Sequence, residues 1–343
     1  MIPHALIYGV IGVKLPIAAM EATTLPVFRD QLLDRRQKLE TAAATLGPAD
    51  EVTRLLQEVD AALGRMNAGT FGLCATCHDP IEPDRLLVDP LTQYCLDHLT
   101  AVEQRALQRD LDLATRIQRE LLPRLDVRLD GWEVAYHYQP AGPVSGDYCD
   151  LIPGNAGQVY FLIGDVAGKG VAAAMLMSHL SALLRTLITI GLPLSQLMER
   201  ANRVFCESTL PAHYATLVCG RASASGEVEI CNAGHPPPLL VHGGEIVRLD
   251  ATDLPIGMFC SGRFSSRTVR LAPGDMVLLY TDGLLEAQNA IGVEYGIERL
   301  AVLAATANRQ PNAAVDACLR DLAAFRGARG TDDDLTILAI SRL

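Results

Sequence analysis

Aspartates stand where predicted β-strands begin or end, and they are the first sign of chemistry in this sequence. Asp147 opens a short apolar strand and Asp165 closes the next one, with the turn 153–157 between them. A turn of this length, rich in Gly, Pro and Asn, closes a β-hairpin, so antiparallel pairing predicts both carboxylates at one rim of a sheet. Asp150, an odd number of residues after Asp147, is expected to point away from that rim.

Further acids fall at the ends of two later strands. Asp282 follows an apolar strand, and the triplet Asp332, Asp333 and Asp334 precedes the last strand of the chain. If these strands are antiparallel, both acidic ends lie at one rim. Because side chains alternate, Asp333 faces opposite to its two neighbours, so the triplet cannot serve one ion equally.

Carboxylates gathered at one rim repel each other unless a cation lies among them. Oxygen ligands without a His-rich set favour Mg²⁺ or Mn²⁺ over zinc. Two such ions about 4 Å apart would lower the pKa of a bridging water and hold a phosphoryl group for in-line attack. The simpler interpretation, ordinary acids in turns, is correct for most single Asp-Gly pairs.

A second set of ligand types lies nearer the N-terminus. Cys74, Cys77, Cys95 and His98 follow the spacing C-x2-C-x17-C-x2-H, and two such tight knuckles supply the four ligands of a tetrahedral zinc. His78 directly follows a cysteine of the set and is poorly placed to share the ion. Four protein ligands leave no position for water, so we expect a structural zinc that contributes to the folding of this module.

Other chemistry-bearing residues have simpler interpretations. The segment GDVAGKG resembles a phosphate-binding loop, but Gly170 stands where that motif requires Ser or Thr. Lys169 could meet a substrate phosphate, although a role in the turn is the simpler interpretation. His235, in a Pro-rich loop, is expected to fix the loop rather than act as a general acid. The remaining cysteines have no ligand spacing and are expected to be buried thiols: Cys149, Cys206, Cys219, Cys231, Cys260 and Cys318.

Composition excludes several functional classes. The chain has 49% hydrophobic and 20% charged residues, as globular proteins do, and its net charge of −11 argues against a general polyanion binder. Nine cysteines without a secretory signal favour a cytoplasmic protein, whose thiols bind metal or pack rather than form disulfides. The apolar stretch 5–20 is short for a membrane span and lacks the features of a signal peptide, so no membrane segment is expected. Residues 1–26 are interpreted as a leader of unclear role, and translation starting at Met20 is one hypothesis.

The elements before residue 123 are helical. Two amphipathic helices, Pro26 to Leu46 and Asp50 to about Met66, predict an αα-hairpin that buries its apolar stripe on itself or on a partner. A third helical pattern runs from Leu99 to Leu122 and would suit either a homodimer or a plain linker helix. Its coiled-coil seam consists of Leu107, Leu111, Ala114, Gln118 and Leu121.

From Trp132 onward, short strands punctuated by Gly and Pro replace the helical pattern. Strands are predicted near 133–138, 148–152, 159–164, 214–221, 228–233, 238–241, 264–271, 276–281 and 335–341. Helices are predicted at 171–190, 193–209, 296–307 and 312–326. This order predicts an α+β domain of two packed, mostly antiparallel β-sheets flanked by helices (α-β-β-α), preceded by the αα-hairpin with its zinc finger.

Six motifs occur in a characteristic order: SGDYCD, GDVAGKG, NAGHPPPLL, LPIG, YTDGLLEA and DDLT. Together with the preceding IQRELLP they resemble the metal-dependent PPM (type 2C) serine/threonine phosphatases of the SpoIIE/RsbU branch, over about residues 107 to 343. The resemblance implies hydrolysis of phosphoserine or phosphothreonine on a protein, often a STAS-domain anti-anti-sigma factor in a partner-switching pathway. It also implies a set of metal ligands, in which Asp334 is the reserve for Asp333: the carboxylates of Asp147, Asp165, Asp282 and Asp333 and the backbone carbonyl of Val166.

The helical hairpin followed by GTFGLCATCHDPIEPDRLLVDPLTQYC resembles the TraR/DksA zinc-finger family, whose members act on RNA polymerase. The sequence departs from that family in having His98 where cysteine is usual, and its hairpin arms are short. A protein contact or dimerisation is the predicted role of this module. Direct nucleic-acid binding is not expected, because residues 66–99 hold one basic residue, Arg85, against Asp79, Glu82, Asp84, Asp89 and Asp97.

The sequence therefore predicts the zinc-bearing module at 27–100, a linker helix at 101–123 and a phosphatase domain at 124–343. The leading hypothesis is a cytoplasmic metal-dependent protein phosphatase, with two Mn²⁺ or Mg²⁺ ions and one structural Zn²⁺, regulated through the zinc module. The alternative is an RNA-polymerase-binding or other transcription-regulatory protein whose phosphatase-like half is a scaffold. Both activities in one chain remain open.

Overall fold

The structure, a computed structural model, describes residues 25–46, 50–124, 131–209, 213–306, 310–327, 329–330 and 333–343. The chain divides into two units at Asp110 and Leu111, within one continuous helix. Nearly all of the predicted leader, including Met20, lies outside the described residues. The exact domain boundaries therefore stay a prediction.

The N-terminal unit is a helical hairpin joined to an irregular segment. Helices α1 (Leu25–Leu46) and α2 (Asp50–Asn67) enclose the buried Leu32, Val59 and Ala62. The short helix α3 (Pro83–Val88) and helix α4 (Ala101–Glu120) follow. Phe28 of the hairpin packs in a buried cluster with two cysteines of the predicted zinc set and with Ile81 and Leu86. The hairpin thus buries its apolar stripe on itself and on the segment that carries the cysteines.

The second unit contains two five-stranded sheets in which neighbouring strands are antiparallel. One sheet has the order β1-β10-β9-β6-β7 and the other β2-β3-β4-β5-β8. The strands are β1 (Trp132–Gln139), β2 (Asp147–Pro153), β3 (Val159–Val166), β4 (Ala215–Ala222), β5 (Glu227–Ala233), β6 (Leu239–His242), β7 (Glu245–Arg248), β8 (Arg267–Arg270), β9 (Met276–Tyr280) and β10 (Leu335–Arg342). The helices of this unit are α5 (Gly170–Ile188), α6 (Leu194–Ser208), α7 (Asp282–Leu285), α8 (Ile297–Thr306) and α9 (Pro311–Arg326).

The two sheets pack face to face, with a pair of helices on each outer face. Alternation along β3 shows how the layers form: Phe161 and Ile163 enter the core between the sheets, whereas Tyr160 and Leu162 pack against α5 and α6. Helices α8 and α9 cover the other sheet through a third cluster that includes Leu300, Cys318 and Leu322. The predicted α-β-β-α architecture is confirmed.

Helix α5 is long and apolar enough to cross a membrane, and it is the one such helix among the residues described. Its side chains Met177, Leu180 and Leu184 are buried in the core that it forms with the sheet β2-β3-β4-β5-β8. Its apolar character is therefore explained by packing against that sheet.

The sequence pattern did not predict the short helix α3 of the N-terminal unit, and in the second unit it did not predict one short strand and one short α-helix. Strand β7 has only two apolar residues, too few to show a period, and it follows the turn Gly243–Gly244, in which both glycines have positive φ. The single-turn helix α7 begins at Asp282, where the sequence predicted only the end of a strand.

One expectation about the cysteines is wrong. Cys206 and Cys260 were expected to be separate buried thiols, but they form a disulfide between α6 and the loop that precedes β8. Asn202 brings the two segments together, because its side chain bonds the carbonyl of Phe259 (2.8 Å) and the amide of Gly257 (2.9 Å). A pairing across 54 residues depends on this tertiary contact, which no local spacing reports. The expectation is correct for Cys149, Cys219, Cys231 and Cys318, which are buried free thiols.

Candidate active site

Asp147 and Asp165 lie at one rim of the sheet formed by β2 and β3, where they are direct cross-strand partners. Directly opposed residues of an antiparallel pair place their side chains on the same face, with Cβ atoms about 5 Å apart. The predicted hairpin register is therefore the observed one. Burial, and next the charge of Asp165, raises the pKa of Asp147 well above its ordinary value.

Asp147 is also bonded to the other sheet. Its Oδ2 accepts hydrogen bonds from the hydroxyls of Thr281 (2.9 Å) and Thr336 (2.5 Å), and all three residues are buried. Thr281 follows β9 and Thr336 lies in β10, and the pairing of Ile337 with Tyr280 brings these strand ends together. The two sheets are thus joined at this rim by an aspartate that accepts from two hydroxyls.

Asp282 and Asp333 reach the same rim from the second sheet. Burial is the largest cause that raises the pKa of Asp165 to about 8, and the charges of Asp282, Asp333 and Asp334 contribute to that rise in this order. Burial also raises the pKa of Asp282, with Asp333 as the next cause. Carboxyls from both sheets therefore lie near enough to disfavour each other's ionisation, which is the electrostatic condition of a cation site.

The aspartates of the last loop have different partners. Asp334 accepts from the amide of Ala141 through Oδ1 (2.7 Å) and from the amide of Gly146 through Oδ2 (3.0 Å). Asp333 accepts its neighbour's amide through Oδ1 and forms an ion pair with Lys169 through Oδ2 (3.0 Å). Asp334 is occupied in fixing the loop before Asp147, which makes Asp333 the more available carboxylate; Asp332 lies outside the described residues.

The space next to Asp165 depends on a glycine. A Cβ added at Gly146 would lie 3.0 Å from the carbonyl oxygen of Val166 and 3.2 Å from Oδ1 of Asp165. A side chain at this position would crowd both oxygen atoms, which the family resemblance assigns as metal ligands. The donor set and the space left by this glycine therefore fit a hard divalent cation.

The rim aspartates are less tightly gathered than the cysteine set. In the parts of the chain that the structure describes, one set of potential metal ligands is close enough to share an ion. It consists of Cys74, Cys77, Cys95 and His98, whose donor atoms all lie within 4.8 Å of one another. The rim aspartates do not form such a group, and one of them is paired with Lys169. Their assignment as metal ligands therefore stays a prediction.

The cysteine set has the geometry expected of two knuckles. Sγ of Cys95 lies 3.3 Å from Nδ1 of His98 and 3.8 Å from Sγ of Cys77. Three sulfurs and one imidazole nitrogen are the donor types of a closed tetrahedral zinc site. The residues fit the predicted ion, whose identity stays a prediction.

Two further polar residues are structural. His235 is fully buried between the hydroxyl of Thr216 (2.9 Å from Nδ1) and the carbonyl of Tyr280 (3.1 Å from Nε2), and burial lowers its pKa to about 3. A histidine neutral at physiological pH with both nitrogens bonded fixes its loop, as predicted. Asp150 points away from the rim and forms a bidentate pair with Arg185 (2.7 and 2.9 Å).

Sequence reasoning missed the two threonines that hold Asp147. Each is close in sequence to a rim acid, because Thr281 precedes Asp282 and Thr336 follows the aspartate triplet by one residue. That proximity was the available signal. Their shared contact with Asp147 depends on how the two sheets pack.

Comparison with known proteins identifies both parts of the chain. The family described as "Stage II sporulation protein E (SpoIIE)" matches residues 155–343, and the "Prokaryotic dksA/traR C4-type zinc finger" matches residues 69–97. Because the first match covers more than half of the chain, this protein belongs to the SpoIIE family of PP2C-type phosphatase domains. His98 lies one residue beyond the zinc-finger match.

Individual relatives agree with this assignment. Phosphoserine phosphatase RsbP of Bacillus subtilis is 30% identical over 52% of this chain and 46% of its own. The solved RsbU and RsbW domains of a Mycobacterium tuberculosis protein are 32% identical over 62% of each chain, with a TM-score of 0.54. The SiaA PP2C domain of Pseudomonas aeruginosa, 23% identical, shows the same fold over 71% of this chain and 100% of its own, with a TM-score of 0.62. The chain spans about half the length of the curated relatives that it matches.

Proposed function

We propose that this protein is a divalent-metal-dependent phosphatase that acts on phosphoserine or phosphothreonine in a protein. The observation that carries the proposal is geometric: Thr281 and Thr336 of one sheet both donate to Asp147, which pairs with Asp165 on the other sheet. Asp282 directly follows the first threonine and Asp333 lies three residues before the second. Family membership supports it, as does the name phosphoserine phosphatase borne by the RsbP relative.

The residues proposed to hold two Mn²⁺ or Mg²⁺ ions supply oxygen atoms throughout: the carboxylates of Asp147, Asp165, Asp282 and Asp333 and the carbonyl of Val166. Such ions, when bound, lower the pKa of a coordinated water and neutralise charge on the phosphoryl oxygens. Thr281 and Thr336 fix the orientation of Asp147, and Asp334 fixes the loop that carries Gly146. No nucleophilic side chain is required by this arrangement.

The test is turnover of a phosphoserine peptide and of p-nitrophenyl phosphate by the full chain, after chelation and after Mn²⁺ or Mg²⁺ is restored. We expect hydrolysis only with the metal, and a loss of at least 100-fold in Asp282→Asn, because a metal-centred reaction depends on its ligands. The control is Asp316→Asn, an exposed aspartate on α9. Full activity in Asp282→Asn would contradict the carboxylate assignment.

For the substrate we propose a phosphorylated regulatory protein, with a STAS-domain anti-anti-sigma factor as the specific candidate. Support comes from the Mycobacterium tuberculosis structure, in which an RsbU domain and an RsbW domain share one chain. The measurement compares kcat/KM for a serine-phosphorylated STAS domain with that for the same phosphopeptide in isolation. A folded substrate that is hydrolysed no faster than its peptide would argue against this class.

Regulation through the N-terminal module is proposed to reach the site along helix α4. Gln118 of α4 is buried, donates to the carbonyl of Ser145 (2.7 Å) and accepts from its amide (3.0 Å). Arg185, which holds Asp150, also donates to the carbonyl of Leu121 just after the helix (3.2 Å). A shift of α4 would therefore move the loop that leads into Asp147.

The second candidate function is favoured by the dksA/traR match at residues 69–97, and it is contact with RNA polymerase or another transcription protein. The test is capture of purified RNA polymerase by the full chain, with Cys77→Ser as the control. Capture together with metal-dependent turnover would support both activities in one cytoplasmic protein.

The linker helix remains a proposed homodimer contact, to be tested by sedimentation.

A further inference from the structure

Lys169 occupies a fixed position beside the acidic rim. It directly precedes α5, four residues after Asp165, and lies between Gly168 (φ 111°) and Gly170 (φ 77°). Positive φ at both glycines lets the chain reverse between β3 and α5 within a few residues. This reversal places the ammonium 3.0 Å from Oδ2 of Asp333, which lies two residues before β10 of the other sheet.

The charges at this rim are unfavourable for a phosphorylated substrate. Wherever bound cations do not neutralise them, the carboxylates of Asp147, Asp165, Asp282 and Asp333 would repel a phosphate dianion that approaches them. Burial raises the pKa of both Asp165 and Asp282, and the Lys169 charge acts against the rise at each. The electrostatic influence of this ammonium therefore extends over the rim and is not confined to Asp333.

The ion pair is open to solvent on both sides. The side chain of Lys169 is 54% exposed and that of Asp333 is 39% exposed, so an incoming ligand can reach either partner. A divalent cation on Oδ2 of Asp333 and the ammonium of Lys169 would compete for the same oxygen. A lysine displaced from this oxygen stays beside the rim, because its backbone is held between β3 and α5.

We propose that Lys169 leaves its ion pair with Asp333 when the substrate arrives and binds the phosphoryl group of the substrate instead. The inference rests on the proposed function and deepens it by assigning the cation that receives the phosphate. A flexible stem with a compact charge suits this exchange, and lysine is a common phosphate ligand. Lys169 accordingly serves as a binding residue, and the neighbouring carboxylates hold the metal.

The test measures phosphate binding directly, without turnover. Inorganic phosphate is titrated into the Mg²⁺-loaded full chain by calorimetry, for the wild type, Lys169→Gln and Lys169→Arg. The matched control is Lys38→Gln, which removes another exposed lysine–aspartate pair (2.7 Å, with Asp34) in the N-terminal unit. We expect the dissociation constant for phosphate to rise about tenfold in Lys169→Gln, to recover in Lys169→Arg and to stay unchanged in Lys38→Gln.

A second titration separates binding from a purely structural role. Because the ammonium competes with the cation for Asp333, Lys169→Gln should bind Mn²⁺ several-fold more tightly than the wild type. Phosphate binding by Lys169→Gln within twofold of the wild type, a wild type that binds no phosphate, or weaker Mn²⁺ binding in the variant would each overturn the inference.

Failure of the proposed function is distinguishable from failure of this inference. A wild type that binds phosphate through Lys169 but hydrolyses no phosphoprotein would contradict the function and leave the site intact. A wild type that hydrolyses phosphoprotein while Lys169→Gln retains its phosphate affinity would leave the function intact and remove Lys169 from the site.

Discussion

At the scale of single residues, the rim depends on hydrogen bonds that fix one carboxylate. Asp147 is buried, and burial is the first cause that raises its pKa well above its ordinary value. Thr281 and Thr336 orient its carboxyl group by donating to Oδ2. When a bound cation keeps this carboxyl ionised, each of these hydrogen bonds is stronger than one between neutral groups, at about 1.5–3 kcal/mol. The threonines therefore belong to the proposed metal site together with the aspartates that the sequence pattern indicates.

Replacing one of these threonines by valine should weaken metal binding without leaving a cavity in the core. In Thr336→Val the shape is kept and the hydroxyl is lost, so we expect the Mn²⁺ concentration for half-maximal turnover to rise about tenfold. Titration of p-nitrophenyl phosphate hydrolysis with Mn²⁺ measures this. Thr186→Val, which removes an exposed hydroxyl bonded to the backbone of its own helix, is the control. An unchanged Mn²⁺ requirement in Thr336→Val would contradict the role of the hydroxyl.

His235 predicts a pH dependence of stability. Burial lowers its pKa to about 3 in the folded protein, against about 6.5 in the unfolded chain. Between these values the unfolded chain binds a proton that the folded protein does not, so the free energy of unfolding falls as the pH drops from 6.5 toward 3. Urea unfolding at pH 7 and pH 5 should show a larger loss in the wild type than in His235→Gln. Equal losses would mean that His235 is not held neutral.

At the scale of elements, hydrogen bonds hold the end of α4 against the loop before β2. Gln118 binds both backbone groups of Ser145, two residues before Asp147. The predicted seam placed this glutamine as the polar position of a coiled coil. Among the seam residues it is the buried one, and Leu107 is 42% exposed. The bonds to Ser145, which lies in the same unit, give this polar position a partner within the chain, and dimerisation through the rest of the helix stays a proposal.

Breaking this contact should change activity more than stability. In Gln118→Leu the loop loses both bonds, and we expect kcat to fall about tenfold, because a small displacement of a catalytic group is costly in rate. Gln108→Leu, on an exposed part of the same helix, is the control. Steady-state kinetics with thermal unfolding of both variants measures the difference. A Gln118→Leu enzyme with normal kcat would separate α4 from the site.

The disulfide joins α6 to the loop before β8, and it closes a long segment of chain. Loss of this link in Cys260→Ser should lower the free energy of unfolding by about 2–4 kcal/mol, because the unfolded chain regains conformational freedom. The loss should disappear when both proteins are measured in reductant. The control is Cys318→Ser, which replaces a buried free thiol. Any decrease in the free energy of unfolding that this variant shows should be the same with and without reductant. A Cys260→Ser deficit that survives reduction would point to packing rather than to the bond.

At the scale of the whole molecule, the chain carries two donor sets of different chemistry in two units. The cysteine–histidine set suits a tightly held zinc, whereas the carboxylate rim suits ions that exchange with solvent. Metal analysis before and after mild chelation should therefore find about one zinc per chain throughout, while turnover is lost and then restored by Mn²⁺. Loss of zinc together with turnover under mild chelation would contradict this division.

The sequence by itself determined the local features: the hairpin that pairs Asp147 with Asp165, the spacing of the cysteine set, and nearly all strands and helices of the second unit. These depend on short-range periodicity and turn chemistry, which a linear pattern records. Strand β7 was not predicted, because four residues are too few to show a period.

Only the tertiary structure decided which side chains meet across elements. The hydroxyls on Asp147, the ion pair of Lys169 with Asp333, the Cys206–Cys260 bond and the use of Asp334 to fix a loop all join segments that are distant in sequence or lie on different sheets. Such contacts depend on how the two sheets and their helices pack, and packing selects partners by position in space rather than by position in the chain.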